Sequence, residues 1–300
     1  MIKPASHTGK SLVRASGPVL LCGDPHGKFT HIVNSAFDLD ASAVILLGDL
    51  QPLRPLHEEL AQIADRVWFI HGNHDTDSTR DFENVFDSTL FHRSIHGCVV
   101  TLPNGVKVAG LGGVFRESVW HPSLPSGPRY RSRAELTRAT PPRERWRNGP
   151  PRQHWSTIFP EDIDRLSDLR ADVLVTHEAG AGHPHGFEIL DDLARAMGVS
   201  VTFHGHHHDR LDYSARWEAQ EFRSFGVGLR GIAGLGAHCR IRTATRADLL
   251  PHVICYPSDC PAGAEQRDEA NQHDNAQGVG PGAAGAVSQR GVWRPDQDPR

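Results

Sequence analysis

No apolar run in the 300-residue chain is longer than six positions. A bilayer-spanning helix needs roughly 20 consecutive apolar residues, so a helical membrane span is excluded. The first 17 residues carry Lys3, Lys10 and Arg14 but lack the apolar segment that a secretory signal requires. The expected location is therefore the cytoplasm. Cysteine is scarce as well. Cys22, Cys98, Cys239, Cys255 and Cys260 form an odd set with no CxxC spacing, which argues against a disulfide framework and a zinc ribbon and leaves scattered buried thiols. A net charge of −4 gives no global attraction to nucleic acid, and no internal repeat is visible.

What the chain does have is 38% hydrophobic residues, enough to bury a sizeable core. Short apolar runs bounded by Gly, Asp or Pro alternate with stretches of helical character at 28–37, 55–64, 160–170 and 186–197. That alternation predicts an α/β domain. Two β-rich runs, 97–102 and 106–110, meet across Asn104-Gly105 and predict a hairpin, so the sheet should be mixed. Charge is uneven: nine arginines stand against three acids between Arg116 and Arg152, a local balance of +6. The segment at about 116–155 is also rich in Pro, Ser and Gly and is expected to be a surface insertion, anchored by Trp120, Tyr130, Trp146 and Trp155. Beyond Tyr256, Gly, Ala, Gln, Asp and Pro dominate, and that tail is expected to be disordered. The organisation expected is an extension at 1–16, a main domain at 17–255 and a tail at 256–300.

Five apolar runs, at 18–22, 43–47, 67–70, 172–176 and 199–203, share a further property: polar ligands follow each of them. In order they are Asp24-Pro25-His26, Gly48-Asp49, Gly72-Asn73-His74-Asp75, His177 and Gly205-His206-His207-His208. In extended chain, residues i and i+2 point to one side. Asp24 and His26 can thus face one cation, and His206 and His208 repeat the spacing. Asp49, after an apolar strand and a glycine, is placed to bridge two cations with its two oxygens. Asn73 offers a neutral carbonyl oxygen and His177 an imidazole. Such a mixed O and N donor set suits two divalent ions of Mn, Fe, Zn or Ni better than an all-oxygen magnesium cage.

Two cations about 3.5–4 Å apart lower the pKa of a bridging water and neutralise phosphate oxygens during in-line displacement. The chemistry expected is phosphoester hydrolysis, with a bridging hydroxide attacking phosphorus directly and no covalent enzyme intermediate. His74, beside the ligand Asn73, is the candidate for holding or protonating the leaving-group oxygen, with Asp75 orienting its ring. His207 should face away from its two neighbours, as a structural residue or a substrate contact. His71, His183, His185 and His204 have no metal-ligand pattern of their own and are expected to be structural. Arg116, Arg129, Arg131 and Arg133 are candidate phosphate contacts, since guanidinium groups recognise phosphate bidentately.

In these five ordered blocks, over 17–242, the chain resembles the calcineurin-like metallophosphoesterases. The resemblance implies two mixed β-sheets packed face to face and flanked by helices, with the metals at the C-terminal ends of strands. It implies that Asp24, His26 and His208 hold one metal, that Asn73, His177 and His206 hold the other, and that Asp49 bridges. It also implies that His74 contacts the substrate phosphate. The second block, Gly48-Asp49-Leu50-Gln51-Pro52, lacks the further Asp and Arg-Gly of serine/threonine protein phosphatases, which disfavours that activity. Gly48-Asp49-Leu50-Gln51 with the later 109–115 segment is similar to RNA lariat debranching enzymes, although Asp24 stands where many of those carry Cys. The expected substrate is a phosphorylated small molecule, a nucleotide or a nucleic acid, with a nuclease or debranching phosphodiesterase as one alternative. A non-catalytic scaffold on the same fold is the alternative of another class. No membrane and no protein partner is indicated.

Overall fold

Alternation of side chains decides the layering. The computed structural model describes residues 17–236 and the backbone of a last strand, His252–Cys255. All lie within the first of two compact units, Met1–Cys260, into which the chain divides. The expected extension at 1–16 and tail at 256–300 lie outside the described residues, as do Cys239 and Cys260.

Among the described residues ten strands form two five-stranded sheets. In the first sheet β1 (Val19–Cys22), β2 (Ala43–Leu47) and β3 (Val67–Ile70) run parallel, β9 (Ile232–Leu235) pairs antiparallel with β1, and β10 (His252–Cys255) pairs antiparallel with β9. In the second, β5 (Lys107–Leu111), β6 (Val173–Thr176), β7 (Val201–His204) and β8 (Arg223–Gly226) are parallel, and β4 (Cys98–Thr101) pairs antiparallel with β5. Both sheets are mixed. The five strands foreseen ahead of the ligand blocks are β1, β2, β3, β6 and β7. The foreseen hairpin is β4–β5, and it turns through a three-residue loop rather than across two residues. Gly105 N–H donates to Leu102 O at 2.9 Å, Leu102 N–H to Val106 O at 2.8 Å, and Gly105 takes φ +87°, the left-handed position after a type I turn that favours glycine.

Odd and even positions of each strand go to different cores. Val19, Leu21, Ala43, Ile45, Leu47 and Ile70 of the first sheet meet Val108, Val173, Val175, Val201 and Phe203 of the second. Leu20, Val44, Leu46 and Phe69 turn outward onto α1 (Thr30–Asp38), α2 (Leu56–Glu59) and α3 (Thr79–Phe86). Ala109, Leu111 and Leu174 turn outward onto α5 (Pro160–Ser167) and α6 (Glu188–Met197). The result is helix, sheet, sheet, helix. Each buried Val, Leu or Ile contributes about 1.5–3 kcal/mol, so a one-residue slip, which exchanges faces, is strongly disfavoured.

The helices follow from the same logic. In α6, Leu190, Leu193, Ala194 and Met197 recur every three or four residues on the buried face, and Gly198 at φ +68° ends it. Pro160 opens α5, where Asp162 accepts the Phe159 N–H at 3.0 Å. α3 starts at Ser78, whose hydroxyl accepts the Asp81 N–H at 3.1 Å; α3, α4 (Arg133–Ala139) and α7 (Trp217–Gln220) are helices that the apolar periodicity does not announce.

The insertion joins β5 to β6. Its Val119, Trp120 and Leu136, with the flanking Phe115, Ile158 and Phe159, bury it in the core outside the second sheet, so it is an integrated part of the fold. Cys22 is buried and Cys98 half-buried, both as free thiols. Among the described residues no helix is long and apolar enough to cross a membrane.

Candidate metal centre

Every ligand block follows the C-terminal end of a parallel strand: β1, β2 and β3 from one sheet, β6 and β7 from the other. The loops bend sharply there. Asp24, His26, Asp49, Gln51, His206 and His208 all have φ between 38° and 69°, a left-handed conformation costing of order 1–3 kcal/mol per non-glycine residue. The strain is concentrated where these side chains converge. Glycine serves the same purpose at Gly48, whose φ is +99° and where an added Cβ would collide with His177 Nδ1.

The convergence has two halves. Asp24, His26, Asp49 and His208 each offer a ligand atom within 4.8 Å of the others, and so do Asp49, His177 and His206. Asp49 belongs to both. His26 Nε2 and His208 Nε2 lie 3.0 Å apart. His26 Nδ1 donates to Gln51 Oε1 at 2.6 Å, which leaves Nε2 as the nitrogen facing the site. His177 Nδ1 donates to Leu47 O at 2.8 Å, and its Nε2 stands 3.1 Å from Asn73 Oδ1 and 3.3 Å from Asp49 Oδ1. Asp24 accepts the His206 N–H at 2.9 Å. The structure brings together all seven residues expected as ligands.

The electrostatics of the centre show what its residues call for. Burial pushes the Asp24 carboxyl up, to about 7, with the His177 charge offsetting only part of it. Burial also opposes charge on Asp49, but the charge and hydrogen bond of His177 and the His74 N–H overcome it and hold this carboxyl low. Burial would depress His177; the charge and hydrogen bond of Asp49, then the charge of Asp24, raise it to about 10. A proton on His177 thus stands in for positive charge that buried carboxylates demand. His206 is driven down to about 4, first by burial and then by His177, which favours the neutral ring with one nitrogen free to ligate. Asp49 Oδ2 and His206 Nδ1 are buried with no hydrogen-bond partner. Orphaned buried acceptors of this kind, in a mixed Asp/His/Asn set, fit divalent transition metals.

His74 lies on the rim, its side chain 43% exposed, in a 3-10 turn over His74–Thr76. The structure corrects its expected partner. His74 Nδ1 donates to Asp77 Oδ2 at 2.5 Å. Asp75 is fully buried, accepting the N–H groups of Gln51 at 2.9 Å and Gly72 at 2.8 Å. In so tight a turn the residue after His74 points inward, and the one three positions on returns to its side. Burial opposes protonation of His74, but the Asp77 hydrogen bond and the Asp49 charge outweigh it and raise its pKa. Arg152 fixes the turn from the insertion, donating to Thr76 O at 3.0 Å and Asp77 O at 2.7 Å.

The arginines expected to touch phosphate separate into two groups. Arg131 pairs with Asp164 at 3.1 Å. Arg133 donates to Trp155 O at 3.3 Å and lies over the Trp155 ring. Arg129 is exposed, with its N–H bonded to Val119 O. Arg131 and Arg133 are engaged within the insertion and with α5, and Arg129 is exposed. Arg116 differs: it is half-buried, donates once, to Ser156 Oγ at 3.3 Å, has a buried Nε without a partner, and feels the charges of Asp77 and Glu178.

His207 stacks on His183 with ring centroids 3.7 Å apart, and His183 Nε2 bonds Asp209 Oδ2 at 3.1 Å. His204 bonds Gly205 O and the Tyr213 hydroxyl, each at 2.9 Å. His71 is buried against His96 and Phe86. Gln51, Asp77, Arg152 and Glu178 are the site residues that the sequence does not announce; only Gln51 stands inside a recognised block.

Gly72 supplies a direct test. A Cβ at this position would collide with Asp49 Oδ1 and approach His177 Cε1 to 2.6 Å. Gly72→Ala is expected to lower metal content and activity far more than thermal stability, measured by metal analysis, turnover and melting.

Residues 17–210 match the profile of the calcineurin-like phosphoesterase family. An uncharacterized protein of Haemophilus influenzae is 38% identical over 227 residues, which cover 75% of this chain and 97% of that protein. Among solved structures, TT1561 of Thermus thermophilus is 15% identical, covers 75% of this chain and 96% of its own, and superposes with a TM-score of 0.47.

Proposed function

The chain belongs to the calcineurin-like phosphoesterase family, and on that premise we propose that it is a hydrolase of phosphoric esters working with two divalent cations. Asp24, His26 and His208 would hold one, Asn73, His177 and His206 the other, and Asp49 both. The observation that carries this reading is the membership of Asp49 in both ligand groups. When bound, the cations supply positive charge that makes water acidic and neutralises the oxygens of a phosphoester.

The chain's own residues do the rest. Gln51 and Leu47 O fix the imidazoles of His26 and His177 with Nε2 toward the site. Asp77 takes Nδ1–H of His74 and favours its charged form, so Nε2–H is available to the leaving oxygen at the solvent side. That is general-acid assistance. Arg116 is the guanidinium left to meet a further anionic group on the substrate, which supports a nucleotide or another polyanion over a bare monoester. Arg116→Ala is expected to raise KM about 10-fold for a nucleotide, the value of one charged hydrogen bond, and to leave KM for p-nitrophenyl phosphate unchanged. Arg131→Ala should move neither; equal effects of Arg116→Ala on both substrates would remove its role.

The complete ligand set and the presence of His74 favour an enzyme over a scaffold. The test is hydrolysis of mono- and bis-p-nitrophenyl phosphate by full-length protein stripped of metal and reloaded with Mn, Zn, Fe or Ni. Turnover restored by metal supports the reading. Bound metal without turnover of either ester, of nucleotides or of RNA would favour the scaffold.

A further inference from the structure

We propose that Glu178 is a positioning residue for the second metal position, acting on the Nε2 side of the His206 ring so that Nδ1 is left for the metal. The inference rests on the metal-binding reading above. Glu178 follows His177 directly at the end of β6, and only 4% of it is exposed. Its Oε1 accepts the Phe115 N–H at 3.2 Å. Its Oε2 lies 3.9 Å from His206 Nε2 and 4.0 Å from His207 Nε2. Among the described residues no lysine or arginine forms an ion pair with it, although the charges of His177 and Arg116 reach it; the rings of His206 and His207 stand at its Oε2.

A buried carboxylate with one backbone donor is costly unless other donors reach it. The opposite nitrogen of His206, Nδ1, is buried and has no partner. The two halves of the ring therefore have two different tasks. A proton on Nε2 faces the Glu178 carboxylate across 3.9 Å, which favours this tautomer electrostatically and leaves the lone pair on the buried Nδ1. Histidine ligands commonly donate their second N–H to a carboxylate in this way. His207 closes the arrangement. Its Nε2 is buried without a hydrogen-bond partner, and its ring is held against His183, which Asp209 anchors. Glu178 is thus enclosed by two histidines of the same loop, one stacked in place and one a ligand. The same three side chains offer ligand atoms within 4.8 Å of one another, but a cation there would need His206 to ligate through both nitrogens at once.

The test uses metal-stripped full-length protein titrated with Mn²⁺, with free Mn²⁺ followed by its EPR signal. Glu178→Gln keeps an oxygen for the Phe115 N–H and removes the charge. It is expected to bind the first equivalent as the wild type does and the second about 10- to 100-fold more weakly, with the metal-free melting temperature little changed. Glu178→Asp withdraws the carboxylate by one methylene and should also weaken the second equivalent. Wild-type affinity for both equivalents in the two variants would overturn the proposal. So would a third equivalent in the wild type that Glu178→Gln removes, since Glu178 would then be a ligand. A wild type that binds no metal would instead refute the phosphoesterase reading itself.

Discussion

Asp49→Asn is expected to lower turnover by at least about 10³-fold and to remove stoichiometric metal. The size follows from the place of Asp49 in both ligand groups: one substitution weakens two cations together. Losing about 4 kcal/mol of transition-state charge stabilisation corresponds to about 10³ in rate, and a metal ion supplies several kcal/mol. The change is isosteric, and the amide oxygen can still accept the His74 N–H that Asp49 Oδ1 accepts at 2.9 Å. The fold should survive. In the metal-free variant His177 loses the main source of its raised pKa and reverts toward the neutral form that burial favours. Circular dichroism and melting check the fold, metal analysis checks the ligands, and turnover on bis-p-nitrophenyl phosphate checks the chemistry. Full activity in the variant would rule out a shared carboxylate.

His74→Ala is expected to separate metal binding from rate. No oxygen or nitrogen of the His74 side chain is needed by either ligand group, so two equivalents of metal should remain. The rate should fall by about 10²- to 10⁴-fold, the usual worth of a general acid. Asp77→Asn should cost less, about 10-fold if it orients the ring as a supporting carboxylate does. It should also move the alkaline fall of kcat to lower pH. The sign follows from the protonation state: an acid with a raised pKa stays charged to higher pH, and removing the carboxylate that raises it brings the loss earlier. Asp75→Asn tests the correction of partner. Asp75 holds the backbone of Gln51 and Gly72, so its loss should disturb melting and metal content rather than the pH profile. If Asp75→Asn shifted the profile and Asp77→Asn did not, the assignment of His74's partner would be wrong.

These two carboxylates mark the boundary of what the amino-acid order discloses. Asp24, His26, Asp49, Asn73, His177, His206 and His208 are legible because each follows an apolar run that can only be a buried strand, and parallel strands put their C-terminal ends together. The strands themselves are legible for the same reason: Val, Ile and Leu in runs such as 43–47 have two buried faces to fill. Asp77 is not legible, because a 3-10 turn has no apolar signature and adjacency in sequence favours Asp75. Glu178 resembles any loop acid until Phe115, His206 and His207 surround it. Charge counting fails in the insertion. Its +6 balance looks like a phosphate surface, but Arg147 spends its charge on Glu83 of α3 and Asp87 just after it, and Arg131 on Asp164 of α5. Pairing across such distances is a property of packing, and among the four arginines expected to touch phosphate Arg116 retains a buried donor without a partner, its Nε.

The most direct measurement is a titration of metal-stripped full-length protein with Mn²⁺ while hydrolysis of bis-p-nitrophenyl phosphate is followed. The two ligand groups joined through Asp49 predict that two equivalents bind and that turnover develops fully only with the second. Full turnover without added metal, or after a single equivalent with no further gain, would contradict a dinuclear centre.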